Sequence, residues 1–149
     1  MPIFEKQYEA GWRDMDSNGH LANTSYIEYA IDTRVAFFAS CGFAPEEFLK
    51  QGFGPVIKRD TVDYFRELRM LEPFTVTIEN GGFSEDGSRF RVVNNIYKTG
   101  RVHAARVVTI GGWLSRTERK LIVPPDILFE AWHTLPKTED FEVLKSSIK

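Results

Sequence analysis

The chain of 149 residues has a single cysteine, Cys41, so no internal disulfide can form and a reducing compartment is the simpler expectation. It has no apolar run of the ~18 residues that a membrane-spanning helix needs, so no span is expected. Its first residues, MPIFEKQYEA, lack a basic segment followed by an apolar one. No secretory signal is therefore expected, and the cytoplasm is the default location. It lacks a charge excess of either sign: the formal net charge is −2, which gives no footprint for nucleic acid or an anionic membrane. Gly52-Phe-Gly54 carries nothing else of a dinucleotide fingerprint, and no P-loop is present. A G-x-S-x-G elbow is absent, which removes support for a serine-triad hydrolase. No Cys/His set has zinc spacing. Repeats, linkers and low-complexity tracts are also missing, so one domain is expected over residues 1–135, followed by a polar, loosely attached tail over 136–149.

What is present suffices for a sizeable core. The chain is 42% hydrophobic with twelve Phe, five Tyr and three Trp, an aromatic load that suits cores, apolar pockets and interfaces alike. Residues 3–10 read as a strand and the glycine-punctuated stretch 11–20 as a loop. Tyr26, Ala30, Thr33 and Phe37, flanked by Ile27, Ile31, Arg34 and Phe38, form a stripe at helical spacing. Asn23, or Ser25 with Glu28 in capping-box spacing, could cap this helix, and Cys41-Gly42 ends it. A shorter helix over 45–51 follows. The pattern then turns to strands: 56–65, an alternating stretch around Phe74, Val76 and Ile78, a hairpin turn at Asp86-Gly87, then 89–97 and 102–114. The expected order is strand, helix, then an antiparallel meander. The last long strand has apolar residues on both sides, so one helix cannot cover everything. A final helix after Pro124-Pro125 has its stripe at Leu128, Ala131, Trp132 and Leu135.

The densest polar cluster is Asp14-Met-Asp16-Ser-Asn18-Gly19-His20. Its opening matches a calcium loop, but the bidentate Glu such a loop needs would fall at Ser25, and the preceding segment reads as a strand. No metal site is expected. A plain turn held by Asx side-chain bonds is the simplest alternative. The cluster nevertheless ends at the start of the longest helix, where backbone N–H groups attract an anion or a polarised carbonyl oxygen. A carboxylate, a His, an Asn and a helix N-terminus together are the ingredients of an acyl-transfer site.

The segment Arg13-Asp-Met-Asp16-Ser-Asn18-Gly-His20-Leu-Ala-Asn23-Thr-Ser-Tyr26 resembles the active-site loop of hot-dog-fold thioesterases. The nearest patterns are those of the hydroxybenzoyl-CoA thioesterase-like enzymes and the acyl-carrier-protein thioesterases. The resemblance extends to Val62-Asp-Tyr-Phe-Arg66 and covers about residues 8–130. It implies an α+β hot-dog fold, an antiparallel sheet wrapped around one long central helix, and a catalytic role for Asp16. In the carrier-protein branch the positions of Asn18 and His20 also belong to the site. One bacterial CoA branch has a His where this chain has Asn23, which leaves open which auxiliary residues apply. Substrate contacts are expected from Asn23, Thr24, Ser25 and Tyr26 at the helix start and from Asp63, Tyr64 and Arg66.

The chemistry agrees. The leaving thiol has a pKa of about 8.5, so little acid assistance is needed. A water, a base and oxyanion donors suffice. Asp16 can act as the base or attack directly, and backbone N–H groups around Asn23 to Ser25 would be the donors. The expected activity is hydrolysis of an acyl-CoA or acyl-carrier-protein thioester, with no cofactor. A non-catalytic acyl-thioester or partner-binding module, or a hydratase or dehydratase on the same fold, remains open. The resemblance also implies a homodimer or homotetramer with the site at the subunit junction, Asp16 of one chain facing the Asp63 to Arg66 region of another. His103, His133 and Cys41 read as structural groups. The pairs Arg66/Arg69 and Arg89/Arg91 read either as phosphate ligands for CoA or as solvated faces.

Overall fold

The computed structural model describes residues 3–148. Strand β1 (Phe4–Glu9) leads through a 3-10 turn (Trp12–Asp14) into helix α1 (Asn23–Ser40) and the short α2 (Pro45–Gln51). Then follow β2 (Phe53–Tyr64), β3 (Pro73–Ser84), β4 (Arg89–Lys98), β5 (Val102–Ser115), β6 (Leu121–Ile122), α3 (Asp126–His133) and β7 (Lys137–Leu144). The seven strands form one sheet in the order β1-β3-β4-β5-β2, with β6 on β5 and β7 on β3.

Only β3, β4 and β5 make the expected meander. β2 runs instead to the far edge and pairs with β5 from Phe53↔Ser115 to Tyr64↔Ala105. The connection over residues 65–72 brings the chain back beneath the start of α1, where Leu68 is fully buried and its carbonyl accepts the Leu21 N–H at 2.7 Å. The crossing that breaks the meander thus also anchors the loop ahead of α1. Close β5–β2 packing explains Gly111, where a Cβ would run into the Val56 carbonyl and the Phe90 ring.

α1 lies against the sheet through Tyr26, Ala30, Thr33, Phe37 and Phe38, all buried. Two apolar clusters result. Around the first half of α1 lie Leu21, Tyr26, Leu68, Phe74, Val76 and Val107. Around the second half, Phe38, Phe48, Phe53, Phe90, Trp113 and Trp132 form an aromatic core.

Two expectations are corrected. The N-cap of α1 is Ala22, with no side-chain cap, rather than Asn23 or Ser25. The Ala22 N–H donates to the Asp14 carbonyl at 2.7 Å, so the loop fixes the helix start in place of a capping side chain. The stretch after residue 136 is not a loose tail, because β7 adds to β3 in parallel register, Gly82↔Glu142 to Ser84↔Leu144. A polar composition does not prevent strand addition, which uses backbone groups. Here the charges also find partners: Asp140 lies 3.0 Å from Arg91 and 2.9 Å from Arg106.

Hydrogen bonding from Arg91, with Arg106 beside it, holds the Asp140 carboxyl well below the usual carboxylate range. A depressed folded pKa stabilises above the unfolded value of about 3.9 and loses that contribution as the pH falls through the folded value. β7 is therefore expected to loosen first on acidification below about pH 4. Amide hydrogen exchange over residues 137–144 checks this. Unchanged protection down to the pH of global unfolding would contradict it.

Candidate active site

The loop before α1 is folded by Asp16. Its Oδ1 accepts the backbone N–H of Asn18 at 2.8 Å and of His20 at 3.0 Å. Its own N–H donates to the His20 carbonyl at 2.8 Å. This is the Asx-bonded turn that the sequence allows. It occupies one carboxylate oxygen only, and Oδ2 has no protein partner among the described residues. The side chain is exposed and opens onto a depression of about 640 Å³ with Trp12, Met15 and Met70 in its wall. Trp12 is 82% exposed, an unusual place for an indole beside a candidate site.

Asp14 does different work. Its Oδ2 accepts the Tyr29 hydroxyl at 2.5 Å, and its carbonyl accepts both the Ala22 N–H and the Ser25 hydroxyl, the latter at 3.5 Å. Burial first, then this carboxylate, pushes the Tyr29 phenol far above its ordinary value, so it stays a donor. Asp14 locks the loop to α1 and leaves Asp16 as the carboxylate with an open oxygen.

At the helix start the amides of Asn23 and Thr24 make no hydrogen bond among the described residues. The Ser25 amide does, to the Ala22 carbonyl at 2.9 Å, so of the three expected oxyanion donors Ser25 is occupied. The absent side-chain cap thus leaves two convergent N–H groups at the positive end of an 18-residue helix.

Hydrogen bonds hold Asp16, Asn18 and His20 together in the loop, while Asn23 and Thr24 open the helix that follows it; the side chains of Asn18, Asn23 and Thr24 are exposed and His20 is half-buried. Tyr26 is buried and meets Tyr64 edge-on at 5.1 Å, and the Tyr64 hydroxyl donates to the Asn23 carbonyl at 2.8 Å. Tyr64 therefore reaches the helix start of its own chain. Asp63 and Arg66 are exposed, and Arg66 Nη1 donates to the neighbouring Phe65 carbonyl at 2.8 Å, away from the loop.

Arg91 is committed to Asp140, Glu142 and the Gly81 carbonyl, so it is no phosphate ligand in this arrangement. Arg69 stays exposed beside Glu67. His103 bonds Asn95 and His133 bonds the Phe129 carbonyl, both structural contacts, while Cys41 is half-buried. Sequence reasoning missed Tyr29, Trp12 and Met70. Tyr29 sits four residues after Ser25 on the helix face above the loop, and that spacing was the only available signal.

The family model of the thioesterase-like superfamily matches residues 10–132. Among solved structures, a Staphylococcus aureus protein in complex with CoA superposes with a TM-score of 0.83 at 17% identity, covering 92% of this chain and 87% of that one. A 1,4-dihydroxy-2-naphthoyl-CoA thioesterase from Synechocystis gives 0.79 at 16% identity, covering 89% and 96%. A DHNA-CoA thioesterase from Staphylococcus aureus gives 0.80 at 18% identity, covering 90% and 91%. At these identities the likeness is one of fold, the hot-dog fold. No curated protein matches the chain. Among the described residues, no helix is long and apolar enough to cross a membrane.

Proposed function

The chain belongs to the thioesterase-like superfamily, and from that premise we propose that it hydrolyses an acyl-CoA thioester with Asp16 as the catalytic carboxylate. The observations that support the reading are the half-occupied Asp16 carboxylate and, at the start of the helix that its loop leads into, the two open amides of Asn23 and Thr24. Oδ2 takes a proton from water as the water oxygen bonds to the thioester carbon. The Asn23 and Thr24 N–H groups hold the oxyanion. Collapse breaks the carbon–sulfur bond, and the thiolate leaves with the proton from Asp16 or from solvent. The alternative, direct attack by Asp16, forms an acyl-aspartyl anhydride that water then opens. Several structural neighbours are thioesterases named for aryl-CoA substrates, which supports CoA over a carrier protein. A single turnover in ¹⁸O-water tests the reading. Free CoA must form; ¹⁸O on Asp16 requires an anhydride opened at its aspartyl carbonyl, whereas ¹⁸O in the released acid alone fits water attack on the thioester or on the acyl carbonyl of an anhydride. Intact thioester would overturn both.

The functional unit is a homodimer joined at β2. This strand is an edge, and near it Ile31 and Val35 on α1 and Ile57 on β2 are each about 45% exposed. Along the edge the charges run Lys58, Arg59, Asp60, Asp63, basic then acidic. Antiparallel pairing about a two-fold sets the basic half against the acidic half, the self-complementary pattern of an isologous contact. Of the β5 residues that could stack two dimers into a tetramer, Val102 is exposed, whereas Ala104 is fully buried within the chain. Light scattering at micromolar concentration is expected to give at least twice the 17.1 kDa chain mass. A stable, active monomer would contradict the shared-site arrangement.

A further inference from the structure

A second cavity, of about 450 Å³, lies between α1, α2 and the start of β2. Its walls are the rings of Phe38, Phe48, Phe90 and Trp132, and its lining includes one buried cation, Arg34. Arg34 is 8% exposed, on the same helix whose N-terminus carries the Asn23 and Thr24 amides.

The bonding of Arg34 is incomplete. Nε donates to Asn94 Oδ1 at 2.9 Å and Nη2 to Thr109 Oγ1 at 2.6 Å. Thr109 passes the contact on to Asp60 Oδ1 at 2.5 Å. Among the described residues Nη1 has no partner, and the guanidinium reaches a carboxylate only through Thr109. Burial pulls its pKa down to about 10, with Asp60 opposing, so it remains a cation at neutral pH. Nη1 is not sealed from solvent within the chain, so the cost of a donor without an acceptor arises when an occupant covers it. A purely apolar occupant would leave Nη1 unsatisfied, whereas an occupant with an oxygen would not.

We infer that this cavity holds the acyl part of the thioester and that Arg34 selects acyl groups carrying an oxygen acceptor along the chain. The inference rests on the thioesterase reading for the acyl identity, and on the cavity and Arg34 alone for the ligand chemistry. The dimer geometry supplies the route. Tyr64, at the end of β2, bonds the helix start, while Pro55 and Ile57, near its beginning, line the cavity. Antiparallel pairing of two β2 edges sets the helix start of one copy beside the cavity mouth of the other. The thioester carbonyl then sits at one Asp16 with its acyl group in the opposite subunit.

Two measurements test this. The first is kcat/KM for decanoyl-CoA against 6-hydroxy- and 10-hydroxydecanoyl-CoA. The wild type is expected to prefer a hydroxylated chain by at least about tenfold, the worth of one hydrogen bond to a charged group. In Arg34→Met that ratio should collapse to about one. No preference in the wild type, or a ratio that persists in the variant, overturns the inference.

The second is calorimetric titration with decanoate and with decyltrimethylammonium, an equal chain without an acceptor, and it needs no hydrolysis. Decanoate should bind, the trimethylammonium chain should not, and Arg34→Met should weaken decanoate at least about tenfold. Absent decanoate binding, or equal binding of both chains, overturns the inference. If no thioester is hydrolysed while decanoate binds through Arg34, the thioesterase reading fails and the cavity's ligand chemistry stands. Should Arg34→Met not fold, Leu49→Trp decides. Leu49 lines the cavity and is 66% exposed, so the indole narrows the mouth without entering the core. A loss in decanoate affinity of about fivefold or more is expected, and unaltered affinity overturns the inference.

Discussion

Asp16→Asn is expected to lower turnover by at least about a hundredfold while KM moves only a few-fold. The substitution is clean because an amide oxygen can still accept the Asn18 and His20 N–H groups that Oδ1 holds at 2.8 and 3.0 Å. The loop keeps its shape and only the basic oxygen is lost. Asp14→Asn is the control. Its amide oxygen can still take the Tyr29 hydroxyl, and no step is assigned to the side chain, so turnover should fall less than about tenfold. Steady-state kinetics on both variants, with circular dichroism to show that each is folded, makes the comparison. Near wild-type turnover in Asp16→Asn would reduce Asp16 to a turn residue.

Trp113→Ala should cost about 3–5 kcal/mol of stability, the range for emptying a large aromatic site. Trp113 is 3% exposed and its ring lies within about 6 Å, centroid to centroid, of Phe38, Phe48, Phe53 and Phe90. Three of those rings also line the Arg34 cavity, so the residue joins core stability to the shape of the acyl pocket. For a chain of this size the loss corresponds to a fall in Tm of about 10 °C. Trp12→Ala, at 82% exposure, should change stability by less than about 0.5 kcal/mol. Chemical denaturation of both variants checks the contrast. A Trp113→Ala loss below about 1 kcal/mol would mean that the aromatic cluster rearranges around the gap.

Much of this arrangement is legible in the sequence because it is local. The helical stripe from Tyr26 to Phe38, the Asp86-Gly87 hairpin and the Asx turn at Asp16 are set by residues a few positions apart. What could not be read depends on distant partners. β2 skips its neighbour β3 to pair with β5, some 50 residues later in the chain, and nothing in its own alternation says so. The helix cap is supplied by the fold of the loop, through the Asp14 carbonyl, although two good capping residues stand nearby. β7 is polar because its partners are: Arg91 and Arg106 wait on the sheet for Asp140.

The same limit applies to the site. Asp16 stands out by its motif. That Ser25 is occupied while Asn23 and Thr24 are open required the backbone hydrogen bonds. Arg34 appears in sequence as one charged member of an apolar row. Its fourfold setting, with Asn94, Thr109, Asp60 and an apolar cavity, joins residues up to 75 positions apart.

The central claim, thioester hydrolysis, is tested most directly by thiol release from acetyl-, decanoyl- and benzoyl-CoA, followed with a thiol reagent. The wild-type protein should release CoA from at least one of them in a saturable, enzyme-dependent way, with the free acid as the only other product, and Asp16→Asn should not. Release from none of the three would contradict the account and leave a hot-dog module that binds its ligand without cleaving it.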